Sequence, residues 1–179
     1  MNTDNIERYL NSFGRQVVNR AKGNIQKAKG GGTALEQSIK FEVVADKNGF
    51  TVNFYMADYG TFVDKGVSGN KKTQQFKNYL DKVINSPYKY TNKQPPPNIL
   101  AKWISKKGIK GRDEKTGRFI SNMSLAFIIG RKIKRDGIKS IAFFQKPLGL
   151  GLKQFGNNLL KNVKEDVIET LNKTITTVN

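Results

Sequence analysis

The sequence predicts an α+β fold in which a small antiparallel sheet is packed by long N-terminal and C-terminal helices. Apolar residues recur every three or four positions over residues 6–28 and again over residues 155–175, which is the spacing of one helical face. Between these segments, residues 39–56 alternate between apolar and polar side chains, as half-buried strands do. Helices that cover one face of an antiparallel sheet define the α+β class.

The first helix is predicted over Ile6–Ala28, and the glycines at Gly30–Gly32 end it. Two strands are predicted next, over residues 39–44 and 50–56. They are joined by Asn48-Gly49, a dipeptide that favours a tight hairpin turn because both residues tolerate a positive φ. Each strand has one apolar side, and we expect the first helix to cover it.

The segment from Lys65 to Arg118 is strongly basic, with 14 Lys and Arg residues against three acids. A helix is predicted within it around Gln74–Ile84. Residues 86–97 are predicted to form a loop, because three consecutive prolines lack backbone donors and favour an extended chain. We interpret Val67–Pro97 as a basic loop/helix insertion into a single domain that covers residues 1–179.

The C-terminal half continues with helices and turns. A short helix is predicted within Pro97–Gly108, since proline near a helix start and glycine past its end are both favoured. Residues 111–121 indicate a turn or small hairpin flanked by glycines, and Ser121–Gly137 indicates another helix. A strand is predicted over Ile138–Gln145, Pro147 ends it, and a final helix follows.

The composition narrows the possible chemistry. The 179 residues include no Cys and no His, so disulfides, thiolate catalysis and histidine general bases are excluded. No apolar run approaches the roughly 18 residues that a membrane span needs, so no membrane partner is expected. The net charge of +18 predicts association with polyanions or with an acidic protein surface.

Catalytic patterns are weak. The glycines of Gly149–Gly156 lack the spacing of a dinucleotide-binding fingerprint. The carboxylates of Asp113–Glu114 are adjacent on one predicted turn, whereas two-carboxylate metal sites usually draw ligands from separate elements. Ser38, Ser121 and Ser124 have no histidine to activate them. We therefore expect no enzyme activity, no catalytic residue, no cofactor and no metal.

Four segments, taken in order, are similar to a known family. After the first helix comes Thr33-Ala-Leu-x-x-Ser-Ile39, and Tyr59–Gly66 then reads Y-G-x-F-V-D-x-G. The third segment is PPPNILAKWISKKGI at 95–109, and the fourth is SLAFIIGRKIKRDGIKSIAFFQKPL at 124–148. Their order resembles the head–tail connector (neck or tail-completion) proteins of tailed bacteriophages, with Asp64 where that family usually has Glu. The basic insertion and the high charge depart from the family pattern.

The resemblance implies a structural virion protein. It implies a ring of identical subunits that joins portal-proximal and tail components around the DNA channel, assembled in the host bacterial cytoplasm. The implied partners are other copies of the chain and the portal, adaptor or tail proteins, with non-specific DNA contact in the channel. The candidate subunit-interface residues are Tyr59, Phe62, Asp64 and Gly66.

The alternative is a non-specific nucleic-acid-binding protein that uses its basic surface. In both interpretations a set of basic side chains meets a polyanion or an acidic partner. The candidates are Lys71, Lys72, Lys77, Arg112, Arg118, Arg131, Lys132 and Arg135. In the alternative, Tyr88, Tyr90 or Trp103 would stack on the bases of a single strand.

Overall fold

The computed structural model describes residues 4–47 and 49–177, with side chains through Thr170. It confirms the α+β class, with small antiparallel sheets and long helices at the two ends of the chain. Within the described residues the strands form three separate two-stranded sheets, where the sequence predicts one small sheet.

The chain divides into two compact units, and neither is continuous in sequence. The first unit contains the described residues up to Asp64, together with Lys77–Val83 and the described residues from Ile141 onward. The second unit contains Lys65–Phe76 and Ile84–Ser140. The second unit is therefore longer than the predicted basic insertion, and the expectation of a single connector-type domain stays a prediction.

Helix α1 spans Asp4–Lys29 and confirms the first predicted helix. Its buried apolar side consists of Ile6, Leu10, Phe13, Val17, Val18, Ala21 and Ile25. Gly30 follows the helix with a φ of +82°, as a helix-ending glycine does. A short helix that the sequence reading missed, α2 (Ala34–Ser38), comes next, and the Thr33 hydroxyl caps it by accepting from the Glu36 N–H.

Strands β1 (Lys40–Asp46) and β2 (Gly49–Tyr55) form the predicted antiparallel hairpin, with Phe41 opposite Phe54. Asn48 of the predicted turn lies outside the described residues. The alternating apolar side chains on one side of the hairpin are half-buried, whereas Val44 and most of the polar side chains are exposed; the half-buried ones are Phe41, Val43, Phe50, Val52 and Phe54. The alternation in the sequence therefore predicts correctly which side of each strand faces the core.

The hydrophobic core of the first unit lies where α1, the hairpin and the last helix meet. The ring of Phe13 meets that of Phe54 edge to face at 6.4 Å and that of Phe155 at 4.9 Å. Phe54 also contacts Phe144, with ring centroids 5.3 Å apart. The fully or nearly buried members of this core are Phe13, Val17, Val18, Ala21, Ile25, Leu35, Ile39, Phe143 and Phe144. The first helix thus covers the hairpin as predicted.

Helix α3 (Gly60–Lys65) follows the hairpin, and the short strand β3 (Val67–Ser68) comes directly after it. Strands β4 (Gln75–Lys77) and β5 (Val83–Asn85) then pair with each other. The helix predicted over residues 74–84 is therefore wrong.

The reason lies in the loop between β4 and β5. The Asn78 side chain accepts hydrogen bonds from the N–H groups of Leu80 and Lys82, both at 3.0 Å, and Asp81 has a φ of +64°. Asparagine and aspartate favour such turns because their short polar side chains bond to nearby backbone. This local bonding replaces the predicted helix with a hairpin loop.

Helices α4 (Pro97–Lys106) and α5 (Asn122–Asp136) confirm their predictions and pack on each other within the second unit. Pro97 opens α4, and the Ser121 hydroxyl caps α5 by accepting from the Ser124 N–H. Between the two helices, Arg112 and Phe119 form an isolated antiparallel bridge, as the predicted small hairpin requires.

The strand predicted over Ile138–Gln145 is wrong beyond its first residue. Strand β6 contains only Gly137–Ile138 and pairs with β3. Ala142 then turns the chain with a φ of +51°, and this turn buries the consecutive side chains of Phe143 and Phe144. A strand would have placed these two side chains on opposite faces.

Helix α6 (Gln145–Thr177) is the last element. Pro147 lies in its first turn, where a missing backbone N–H breaks no intrahelical bond. The helix packs along α1, while Leu160, Val167 and Ile168 of its predicted apolar face are exposed. None of the described helices is long and apolar enough to cross a membrane.

Candidate functional site

The segment Tyr59–Gly66, predicted as a subunit interface, splits into a buried and an exposed half. Asp64 is 2% exposed, and Gly66 is also buried. Tyr59 and Phe62, by contrast, expose 47% and 43% of their surface. Of the four predicted interface residues, only these two aromatics present their side chains to solvent, so the interface prediction now depends on them.

Asp64 acts inside the chain, at the start of the longest helix. Its carboxylate Oδ1 accepts hydrogen bonds from the backbone N–H groups of Phe144 (2.8 Å) and Gln145 (3.4 Å). The first N–H groups of a helix have no intrahelical partner, and the helix dipole favours a negative charge there. Asp64 therefore caps α6 from a distant part of the sequence.

Gly66 also has a structural role, within the second unit. Its φ is +74°, and a Cβ at this position would lie 2.7 Å from the Ser140 nitrogen and 2.8 Å from the Ile138 carbonyl oxygen. Only glycine fits both the backbone conformation and the close approach.

The positive charge is concentrated in the second unit. That unit contains 17 of the 32 Lys and Arg residues but only three of the 14 acids, which gives it a net charge of +14. The first unit contains the other 15 basic residues and 11 acids, a net +4. The basic segment that the sequence indicates from Lys65 to Arg118 therefore continues to the basic end of α5.

Four of the predicted basic residues come together at the C-terminal end of α5. The Arg135 guanidinium pairs with Asp136 through its Nε at 2.8 Å, and the N–H of Lys71 donates to the Arg135 carbonyl oxygen. Hydrogen bonding from Arg135, and the charges of Lys132 and Lys72, hold the pKa of Asp136 below its ordinary value. We call Lys71, Lys72, Lys132 and Arg135 the α5 basic cluster.

Arg131 is exposed on α5, one turn before Arg135. Lys77 belongs to the first unit. Its ammonium group is 3.4 Å from Asp81, which also accepts from Lys153 at 2.7 Å. These three side chains line a cleft of about 260 Å³. The structure thus assigns Lys77 to a surface ion-pair network of its own unit.

Arg112 and Arg118 lie together on the small hairpin between α4 and α5. The N–H of Asp113 donates to the Arg118 carbonyl oxygen at 2.9 Å, which closes the hairpin. The guanidinium carbon of Arg112 lies 4.4 Å from the ring centroid of Phe119, within the range of a cation–π contact. The sequence reading missed Phe119, although an aromatic residue beside Arg118 in a basic hairpin is a usable signal.

The predicted stacking residues differ in their exposure. Trp103 exposes 43% of its surface on α4. Tyr88 and Tyr90 are half-buried, and their backbone groups bond to Ser68; burial raises the pKa of Tyr90. Trp103 is thus the most accessible of these three aromatic side chains.

A second buried carboxylate was also missed. Asp166 is fully buried in α6 and accepts hydrogen bonds from the backbone N–H groups of Asn5 (3.2 Å) and Ile6 (3.1 Å). It therefore caps α1 as Asp64 caps α6. The available signal was its place on the apolar stripe of the last helix, three residues after Val163.

Comparison of the chain with known protein families, with curated proteins and with solved structures finds no match. Across the part of the chain that the structure describes, no group of three or more acidic side chains is arranged to hold a metal ion.

Proposed function

We propose that the chain is a structural virion protein, a ring-forming subunit of the bacteriophage head–tail connector. The observation that carries the proposal is the bond between Asp64 and the N–H of Phe144. It joins the second and the fourth of the segments on which the resemblance depends. The first segment bonds to the chain just before the second segment, because Ser38 Oγ accepts from the Ala57 N–H at 3.0 Å. Residues of the segments that resemble the family thus form hydrogen bonds between distant parts of the first unit.

Its lower net charge makes the first unit the better surface for contacts between copies. It exposes Tyr59 and Phe62, and on α6 also Leu160 (69%) and Ile168 (45%). With a net charge of only +4, it brings less like-charge repulsion to a contact between identical subunits than the second unit at +14. A ring needs a heterologous contact, in which one patch meets a different patch on the next copy.

Light scattering and negative-stain images of the purified protein test this proposal. We expect a closed ring, and we expect Tyr59→Ser with Phe62→Ser to yield monomers. The matched control is Tyr79→Ser with Leu80→Ser, which removes an exposed tyrosine and an exposed leucine from the first unit. A wild-type protein that stays monomeric at all concentrations, or that is absent from purified virions, overturns the proposal.

A second candidate function is non-specific nucleic-acid binding, and the concentration of +14 in the second unit favours it. Binding of this kind depends on phosphate neutralisation and weakens steeply with salt. A monomer that binds DNA with submicromolar affinity at physiological salt supports this candidate. A ring whose weak DNA binding disappears at that salt concentration supports the connector.

A further inference from the structure

The small hairpin of the second unit, which we call the arginine hairpin (Lys110–Phe119), presents several cations on an ordered frame. Arg112 pairs with Phe119 across the hairpin, and the N–H of Ile120 donates to the Gly111 carbonyl oxygen at 3.0 Å. The basic side chains of the hairpin are Lys110, Arg112, Lys115 and Arg118, and all four residues are exposed.

The turn of the hairpin uses its own carboxylate. Asp113 Oδ1 accepts from the N–H groups of Lys115 (3.1 Å) and Thr116 (2.8 Å) and from the Thr116 hydroxyl (2.9 Å). Gly117 then completes the turn with a φ of +67°. Within the described chain, no ion pair joins a cation of the hairpin to an acid. The cations are therefore available to an external anion.

The aromatic ring of the hairpin holds cations in place. Besides the Arg112 guanidinium at 4.4 Å, Lys110 Nζ lies 5.7 Å from the Phe119 centroid, although Phe119 is 61% exposed. A stacked guanidinium keeps its N–H donors free and loses less freedom when it binds an anion. A ring that already contacts two cations is a poor platform for a nucleic-acid base.

We propose that the arginine hairpin binds the phosphate backbone of duplex DNA, independently of sequence and without stacking on bases. The inference rests on the nucleic-acid contact proposed above. Duplex DNA is favoured over a single strand because its phosphates are denser, at about one charge per 1.7 Å of axis.

The test measures the binding of the full chain to a fluorescent 24-base-pair duplex of mixed sequence over a series of salt concentrations. The hairpin variant carries both Arg112→Gln and Arg118→Gln. The control variant carries both Arg15→Gln and Arg20→Gln, which remove the same charge from exposed positions of α1. We expect the duplex affinity of the hairpin variant to fall roughly tenfold. The slope of log affinity against log salt concentration should become less steep by about 1–2 in that variant, and both quantities should stay near wild type in the control. Circular dichroism confirms that both variants are folded.

A variant that keeps the charge tests the role of the ring. Phe119→Leu leaves every cation in place but removes their platform, so we expect a loss of about twofold to fivefold on the duplex. A 24-nucleotide oligo-dT is expected to bind more weakly than the duplex. Tighter binding to oligo-dT, abolished by Phe119→Leu, would show base stacking and overturn the proposal.

The outcomes distinguish the nucleic-acid contact itself from its assignment to the arginine hairpin. If the wild-type chain does not bind the duplex even at 50 mM salt, both the nucleic-acid contact and the hairpin proposal fall. If it binds but both double variants lose the same affinity, the contact stands, and only the assignment to the arginine hairpin is overturned.

Discussion

The carboxylate of Asp64 lies 2.8 Å from the backbone nitrogen of Phe144, 80 positions later in the chain. Asp166 makes the reverse connection, because it lies in α6 and bonds to the N–H of Ile6 at the start of α1. Each long helix of the first unit thus begins at a buried carboxylate that another element supplies. These two bonds tie together parts of the sequence that no local pattern connects.

Asp64→Ala is expected to destabilise the protein by about 2–4 kcal/mol, because it removes a cap and leaves two N–H groups without their acceptor. Asp64→Asn keeps an oxygen acceptor and is expected to cost less. The backbone carbonyl of Asp64, which accepts from Ala142, is unchanged in both variants. Urea unfolding followed by circular dichroism measures the effect. Asp58→Ala, at an exposed residue with the same charge, is the control; equal losses at both sites would contradict the capping role.

Asp166→Ala is expected to loosen the first turn of α1, because the N–H groups of Asn5 and Ile6 lose their acceptor. Hydrogen exchange of peptides that cover this turn should speed up, with little change in the hairpin β1–β2. Glu165→Ala, at the neighbouring exposed position, is the matched control. Unchanged exchange at the start of α1 in Asp166→Ala would show that solvent replaces the carboxylate there.

Sequence patterns predicted those elements whose signals are local. The period of α1, the alternation of the first hairpin and the Ser121 cap of α5 each specify their own element, and the structure confirms them. The bend after Ile138 has no such signal. Ala142 adopts a positive φ there while its N–H bonds to the carbonyl oxygen of Asp64, a residue far away in sequence.

The residues of the candidate site also divide into those with a local sequence signal and those positioned only by the tertiary structure. Arg112 and Arg118 come together because a short hairpin joins them, and the glycines of that segment predicted the hairpin. The burial of Asp64 was not predictable from its own segment, because its partners are the N–H groups that start α6. A sequence segment shows that a carboxylate is present, and only the tertiary structure shows that it is used inside the chain.

Two glycines of α1 are expected to respond in opposite directions to alanine. Apart from its two chain neighbours and the nearby backbone of its own helix, no atom of the described residues lies within 4 Å of the point that a Cβ at Gly23 would occupy. Gly23→Ala should therefore stabilise the helix by about 0.5–1 kcal/mol. At Gly14 a Cβ would overlap the ring of Phe41, which packs against the helix there, so Gly14→Ala should be destabilising despite the same gain in helix propensity. Thermal unfolding compares the two, and a stabilising Gly14→Ala would contradict this packing.

Alanine substitutions at Gly66 and Gly108 distinguish the destabilisation caused by a steric clash from that caused by backbone strain alone. Both have a positive φ, +74° and +63°, but only Gly66 faces backbone atoms of Ile138 and Ser140, whereas the space around Gly108 is open. Gly108→Ala is expected to cost about 1 kcal/mol, from the left-handed conformation alone. Gly66→Ala should cost clearly more, on the order of 3 kcal/mol, because the β3–β6 pairing must shift. Equal costs in urea unfolding would show that the backbone moves freely around Gly66.

Two substitutions at Asp113 distinguish the effect of charge from the effect of an ordered turn in the arginine hairpin. Asp113→Asn and Asp113→Ala remove the same negative charge, but only asparagine keeps an oxygen that accepts from the Thr116 N–H. Charge alone predicts tighter DNA binding for both variants. If the hairpin must be ordered, Asp113→Asn should bind the duplex up to about threefold more tightly than wild type, and Asp113→Ala more weakly than Asp113→Asn.

The pH dependence of the wild type checks the same turn. Hydrogen bonds from Thr116 lower the pKa of Asp113, so its carboxylate stays ionised at pH 5. A lowered pKa means that the stability it contributes is complete above the ordinary carboxyl value and is lost only as pH falls through the lowered one. With no histidine in the chain, duplex affinity should stay flat between pH 5 and 7 at constant salt. An affinity that changes severalfold in this range, or identical binding by Asp113→Asn and Asp113→Ala, would show that the turn does not position the arginines.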